Sequence, residues 1–432
     1  MTTVMNGRRE AVVVVLLFLL TLVVSVVFWS ILPAEFRENQ STDYLTAYEP
    51  VARAIAAGDG ITLDGEISTR YPPGFSVLLA GVFRAGDVLG MGDESMLMAF
   101  RLLCAGLSVL LIYALARLIW SPWLALLPAL AWMTYPFFLW LTKQPNSEVA
   151  FIPVLYAALY LFWRPTLRGM RGPRAWALYL GAGLLVGAAM LIRPAALGLS
   201  VILGVVALFF AAREVGLRSR VAYGALVVLG SVLAVLPWEA AVYARTGEIV
   251  PLSSGGAMTI HDGLTFLAVP KEYRREVAVP EDVAALMWTI HERRRETATT
   301  GGVVKVVGEE ATRAPAAFAK LMLIKFARSW YGIDSRVMEM PVLLLQLAYL
   351  ALILWGSVYA WRQGGALRRM NAGNWLIVLY FWAMTLLVVP LLRYMAPIMG
   401  LLMIALPGVY LSLAARRRLA TTASGRASSS DY

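Results

Sequence analysis

The chain has 432 residues, 59% hydrophobic and 15% charged, with a formal net charge of +11. A soluble globular domain carries about 45–50% apolar and about 25% charged residues, so the composition excludes an ordinary soluble protein and predicts an all-α polytopic membrane protein. The apolar runs are continuous rather than alternating, which sets aside a transmembrane β-barrel, and the basic residues fall in short clusters between those runs, so the charge reads as membrane topology and not nucleic-acid binding.

The first run, AVVVVLLFLLTLVVSVVFWSIL (residues 11–32), is too long for a signal-peptide core of about 7–15 residues, and no small-x-small site closes it. It predicts a retained span with Arg8 and Arg9 on the cytoplasmic side. A polar stretch follows, then PPGFSVLLAGVFRAGDVLG (Pro72 to Gly90), apolar but short and interrupted by Arg84 and Asp87. This segment reads as partly embedded or re-entrant. Further spans are predicted near 97–119, 122–142, 148–163, 175–192, 195–212, 221–238, 340–361, 374–392 and 394–413.

Four basic clusters test that count. Arg164 to Arg174, Arg213 to Arg220, Arg362 to Arg369 and Arg416 to Arg418 all land on the cytoplasmic side of a ten-span chain with both termini inside. Were Pro72–Gly90 a full span, every later cluster would land outside. The expected organisation is one transmembrane domain over residues 1–413, with outer loops 33–96 and 239–338 and a disordered tail at 414–432.

The polar residues concentrate on the outer face. Asp43 lies about ten residues beyond the first span, in STDYLTAYEPVARAIAAGDG. Ser41, Thr42 and Asp43 are capping types, so a short helix through Tyr44 is expected, and Asp43 reads either as a cap or as a reactive acid. Arg70 precedes Tyr71 and the Pro72-Pro73 pair, where the chain re-enters apolar sequence; it suits a lipid phosphate or simple snorkelling. Glu148 opens a span after Ser147, a position favoured by the helix dipole. Lys143 lies nearby, and Arg193 and Arg393 end or begin spans. Charge near lipid is costly and marks functional or paired sites. Glu309 to Trp330 has apolar residues at helical spacing with basic residues between them, which suits a helix along the interface with Lys325 and Arg328 reaching phosphate, or a solvated face. His261 and His291 read as loop residues; the sequence shows no zinc spacing, P-loop or triad, and Cys104 is the single cysteine.

The ordered set DYLTAYEPVARAIAAGDG, RYPPGFSVLLAGVF and AFRLLCAGLSVLLIYALARLIW resembles the N-terminal third of the GT-C superfamily. More narrowly it resembles bacterial integral-membrane glycosyltransferases related to the protein O-mannosyltransferases and the lipid A aminoarabinose transferase. PNSEVAF, LIRPAAL, PWEAAVYARTGEIVPLSSGGAMTIHDG and LLRYMAPIMGLLMIALP extend the resemblance along nearly the whole chain. The resemblance implies two outer loops around a cavity at the membrane surface, and a donor sugar carried on a polyprenyl phosphate. It implies single-displacement inversion onto an acceptor hydroxyl of a lipid, glycan or protein. Asp43 takes the position of the catalytic acid, and Glu148 of a second acid. Arg70, Arg193, Arg393 and Lys143 become donor-phosphate candidates, with Tyr44, Tyr71, Lys325 and Arg328 as cavity or acceptor candidates. No metal ligands are assigned, and a divalent metal is left open as a cofactor. Two departures bear on the acceptor. The protein mannosyltransferases carry Asp-Glu where this chain has Asp43-Tyr44. Relatives of the aminoarabinose type carry a soluble C-terminal domain, so recognition here is expected to rest on the loops.

Two other readings stay open. A transporter or flippase would place ionisable residues at mid-span and break helices in matched halves, whereas the charges here fall at span ends. A non-catalytic lipid-binding subunit would tolerate loss of Asp43. The simplest location is a bacterial inner membrane, with no lipidation or organelle signal visible.

Overall fold

The computed structural model describes residues 7–33, 41–266, 279–333 and 336–428. Helix α1 (Gly7–Ile31) is followed by a π-helical turn (Tyr44–Tyr48) that runs into α2 (Glu49–Ala57). Gly58, at φ 99°, closes α2 in the left-handed conformation open to glycine. A short antiparallel hairpin pairs β1 (Thr62–Leu63) with β2 (Glu66–Ile67) across Asp64-Gly65, both at positive φ, as a two-residue Asp-Gly turn requires. Helix α3 (Gly74–Leu89) comes next, then α4 (Asp93–Ala116), α5 (Pro122–Met133), α6 (Pro136–Lys143), α7 (Ser147–Arg168), α8 (Pro173–Ile192), α9 (Leu199–Phe210) and α10 (Leu217–Thr246). Four shorter helices follow: α11 (Gly256–Thr265), α12 (Glu281–Glu292), α13 (Thr300–Arg313) and α14 (Pro315–Arg328). The chain ends with α15 (Arg336–Gln363), α16 (Gly365–Thr385), α17 (Leu392–Met403) and α18 (Pro407–Ser428).

Among the described residues, α1, α4, α7, α8, α10 and α15 are each long and apolar enough to cross a membrane. Two further spans arise if the bent pairs α5–α6 (56°) and α17–α18 (42°) each count as one, giving six to eight. Prolines set those bends: Pro136 opens α6 and Pro407 opens α18. The remaining two of the ten predicted spans are helices too, but Pro194–Phe210 is short. Helix α16 begins at Gly365, inside polar GALRRMNAGN, and ends at Thr385, ahead of the predicted 392. The Pro72–Gly90 segment forms a single helix, α3, which tucks Phe75, Leu79 and Phe83 inward and leaves Val77, Val88 and Leu89 exposed. The 414–432 tail differs from expectation as far as Ser428, where α18 continues. Its Arg, Ala and Leu residues favour helix, and extending an existing helix needs no new nucleus.

Packing within the bundle follows membrane rules. Gly183 and Gly187 of α8 form a Gly-x-x-x-Gly pair against Gly230 and Ser231 of α10. A methyl group at Gly187 would sit 2.6 Å from the Ser231 carbonyl oxygen, so the backbones approach as only small residues permit. Several polar side chains at depth find partners, as apolar surroundings favour. The Trp163 indole donates to Asn374 (3.0 Å), Tyr135 to Gln346 (2.8 Å) and Trp120 to the Ile404 carbonyl (2.8 Å). Helices α11 to α14 share a smaller core of Leu264, Val283, Met287, Ile290, Val306 and Leu321. The predicted single interfacial segment Glu309–Trp330 is thus two helices broken at Ala314-Pro315 and packed on protein.

Candidate active site

The site gathers at one end of the long helices. Arg193 ends α8, where the chain turns extended before Pro194. Glu148 lies in the first turn of α7, and Arg393 in the first turn of α17. Gly74 lets α3 start against the end of α8: a methyl group there would meet the Leu191 carbonyl oxygen at 2.7 Å. That close approach carries Arg70 and Tyr71 to the same place as Arg193.

These side chains form a chain of charge. Glu148 is buried, with Arg193 Nη1 at 2.6 Å from Oε2 and Arg393 Nε donating to Oε1 at 3.0 Å. The first contact is electrostatic rather than an aligned hydrogen bond, and the same Arg193 nitrogen donates to Ser147 Oγ at 2.8 Å. Arg393 Nη2 lies 3.9 Å from Asp43 Oδ2. On the other side, the Tyr71 hydroxyl donates to Asp43 Oδ1 at 3.0 Å. Asp43 is 41% exposed and Glu148 1%, so the outer carboxylate is accessible and the inner one serves as counter-charge. Arg193 and Arg393 both approach the Tyr394 ring, at 5.6 and 5.3 Å, and the exposed Arg70 lies 5.4 Å from the Tyr71 ring.

Two tyrosines line the Asp43 side. Tyr71 packs on Tyr48, with ring centroids 5.0 Å apart, and Tyr48 meets Phe75 edge-on. Burial pushes the Tyr48 phenol up to about 12, and burial with the Asp43 charge pushes Tyr71 up as well. Both therefore stay protonated at neutral pH, and Tyr71 acts as the donor to Asp43. The 252–256 loop closes over this segment: the Ser254 amide donates to the Thr69 carbonyl at 2.8 Å, and Gly255 packs on the Arg70 carbonyl.

The structure brings Asp43, Glu148, Arg70, Tyr71, Arg193 and Arg393 together. It separates others from them. Tyr44 is buried on the opposite side of its turn, where Glu49 and Arg53 act on it; a π-helical turn advances the next residue away from the face that carries Asp43. Lys143 is buried in the last turn of α6, its carbonyl accepting from Arg101. Lys325 is fully buried and donates to the Gly263 carbonyl at 2.7 Å, while Arg328 is buried against Glu339. Their predicted reach to phosphate does not hold, because α14 spends its basic face on protein. His261 and His291 sit on α11 and α12 with rings 5.9 Å apart, not on loops. Sequence reasoning missed Ser147 and Tyr48 as partners of the cluster. Ser147 is adjacent to Glu148, and Tyr48 follows Asp43 at five residues, so only their neighbours' roles pointed to them.

Among the described residues no group of three or more His, Cys, Asp or Glu side chains converges. Both oxygens of Glu148 face guanidinium groups, which leaves Asp43 as the open carboxylate of the cluster. That donor set suits an anion rather than a divalent cation.

Comparison with known proteins bears on the fold. A family model described as dolichyl-phosphate-mannose-protein mannosyltransferase matches residues 71–238. No curated protein matches the chain by sequence. The archaeal oligosaccharyltransferase AglB from Archaeoglobus fulgidus, in complex with an inhibitory peptide and a dolichol-phosphate, is similar at a TM-score of 0.52 and 14% identity, over 95% of this chain and 52% of that one. Its apo form gives 0.53 and 14% over the same shares. ArnT from Cupriavidus metallidurans bound to undecaprenyl phosphate gives 0.44 and 16%, over 93% of this chain and 78% of that one. The chain spans about half the length of the oligosaccharyltransferase. It is an all-α integral membrane protein that shares the fold of this oligosaccharyltransferase, and its residues 71–238 match the protein mannosyltransferase family model.

Proposed function

We propose that the protein is an inverting glycosyltransferase that moves a sugar from a polyprenyl-phosphate donor to an acceptor hydroxyl. The observation that carries this reading is an accessible carboxylate, Asp43, placed between a tyrosine donor and an arginine pair. The acceptor oxygen attacks the anomeric carbon as the bond from that carbon to the phosphate oxygen breaks. Asp43 accepts the acceptor's proton. Tyr71 holds Oδ1 in place, leaving Oδ2 toward the incoming hydroxyl. The departing phosphate takes the bonding electron pair, and Arg70 and Arg393 neutralise the growing charge. Glu148 holds Arg193 and Arg393 in position without itself meeting substrate. The dolichol-phosphate carried by the structurally similar oligosaccharyltransferase supports a lipid-phosphate donor. The basic clusters at the far ends of the helices support a site that faces outward, across a bacterial inner membrane, with both termini inside.

The test is transfer by purified protein and by Asp43→Asn, offered polyprenyl-phosphate sugars with crude lipid and glycan acceptors. A loss of at least about a hundredfold in an equally stable Asp43→Asn protein is expected for a general base. Undiminished transfer by that variant would remove Asp43 from the mechanism.

A further inference from the structure

The backbone beside the candidate site is strained at one point. Among the described residues two non-glycine residues have positive φ, Asp64 at 53° and Leu252 at 60°. Asp64 belongs to the Asp-Gly hairpin turn, which calls for that conformation. Leu252 has no such turn. The Ser253 amide donates back to the Pro251 carbonyl at 2.7 Å and closes a three-residue turn around it, a conformation that a branched side chain adopts at a cost. Glycine would fit this backbone freely. Leucine stands there instead, 2% exposed, with its side chain in the main core.

Both backbone groups of Leu252 are gripped by adjacent residues of α10. Its amide donates to Glu239 Oε1 at 2.7 Å, and its carbonyl accepts from the Trp238 indole at 3.0 Å. Strain persists only where its surroundings over-determine it, and it gathers at functional sites. The turn aims the next residues at the charged cluster. Ser254 meets Thr69 twice, amide to carbonyl at 2.8 Å and hydroxyl to hydroxyl at 3.0 Å, and Gly255 lies on the Arg70 carbonyl. At its other end the same segment is fixed where Gly74 abuts Leu191. Arg70 and Tyr71 lie between these two anchors, and the Tyr71 hydroxyl reaches Asp43. The PWE and PLSSGG stretches of the sequence thus form one clamp.

We propose that Glu239 and Trp238 are positioning residues for sugar transfer. They fix the Leu252 turn, and the turn fixes Thr69 and Arg70 through Ser254 and Gly255. The segment then presents the Arg70 cation and the Tyr71 hydroxyl on the Asp43 side. Neither Glu239 nor Trp238 meets substrate. The inference rests on the donor reading given above and adds to it the groups that hold two of its residues in place. Released from Glu239, the turn would relax toward negative φ, where a leucine is unstrained, and Ser254 would leave Thr69.

Backbone hydrogen exchange and transfer kinetics of the full chain, run on wild type, Glu239→Ala and Glu239→Gln, test the proposal. In Glu239→Ala the Leu252 and Ser254 amides are expected to exchange at least about tenfold faster, with the α10 amides before Pro237 unchanged. The same variant should lose about tenfold in kcat with KM within about twofold. Glutamine keeps a carbonyl oxygen for the Leu252 amide, so Glu239→Gln should bring both readouts back to within about threefold of wild type. A double variant, Glu239→Ala with Tyr71→Phe, should lose far less than the product of the two single losses, because both act through the contact to Asp43. Trp238→Phe, which removes the indole donor and keeps a ring, provides the same readouts if Glu239→Ala fails to fold. Unchanged exchange at Leu252 and Ser254, or an unchanged kcat in a loosened turn, would overturn the positioning role while the donor reading stands. So would failure of glutamine to restore kcat, or losses that multiply in the double variant. No transfer by the wild-type protein with any polyprenyl-phosphate sugar would overturn both.

Discussion

Tyr71 holds the accessible carboxylate at a single hydrogen bond, 3.0 Å from Asp43 Oδ1. A hydrogen bond to a charged group is worth about 1.5–3 kcal/mol. If that bond fixes Asp43 for proton transfer, Tyr71→Phe should lower kcat by about tenfold or more with little change in KM. The ring remains to pack on Tyr48, so thermal stability should be nearly unchanged. Steady-state kinetics against a stability control decides the matter: a change in KM alone would give Tyr71 a binding role instead. Arg70, Glu148, Arg193 and Arg393 were legible as candidates because each stands at a break between apolar and polar sequence, whereas Asp43, about ten residues beyond the first span, was singled out by the family resemblance. Their pairing was not legible. Nothing in the local sequence shows that Arg393 bridges two carboxylates 245 residues and more away along the chain. The opposite error occurred at Lys325 and Arg328. A basic amphipathic pattern is the same whether its apolar face meets lipid or protein, and here α14 meets α12 and the bundle.

The short helices outside the bundle form an element with its own energetics. Lys325 is fully buried in its interior, and burial pushes its ammonium down from an ordinary 10.5 to about 7. The unfolded chain therefore holds a proton between about pH 7 and 10.5 that the folded chain has released. Stability rises with pH through that window and is flat below it. The full shift corresponds to up to about 5 kcal/mol. Detergent-solubilised protein should accordingly melt at higher temperature at about pH 9 than at about pH 7. Lys325→Met should flatten that slope and raise Tm at the lower pH. An equal slope in both proteins would assign the pH dependence to other groups. At this scale the sequence located each helix of the bundle, since runs of apolar residues set them. It did not locate the bends in α5–α6 and α17–α18, nor the start of α16 in polar sequence. Composition averaged over a span hides a proline break, and it hides a polar helix end covered by neighbours. The Gly183–Gly187 spacing was present to be read, but its partner face on α10 needs the third dimension.

For the molecule as a whole, the distribution of charge is the argument about orientation. Helix α7 alone carries Glu148 in its first turn and Arg168 in its last, about 30 Å apart along the axis at 1.5 Å per residue. The candidate site and the arginine-rich connections therefore occupy opposite ends of the bundle. Arg220 caps the Leu208 and Val215 carbonyls, and Arg369 donates to the Leu167 carbonyl, so some of these cations also close helix ends. Exposed ones such as Arg171, Arg213 and Arg218 are available to the interface that retains positive charge. Two exposed positions test the arrangement: Glu66, in the hairpin on the site side, and Arg171, beyond the end of α7. Native Cys104 is buried, so it gives little background to a thiol label. In intact cells an impermeant maleimide should label Glu66→Cys and should leave Arg171→Cys unlabelled until the membrane is opened. The reverse pattern would turn the molecule over and place the candidate site on the cytoplasmic face. Labelling of both positions in intact cells would mean that the two ends do not lie on opposite sides of one membrane, and the basic clusters would then have to be explained by helix capping alone.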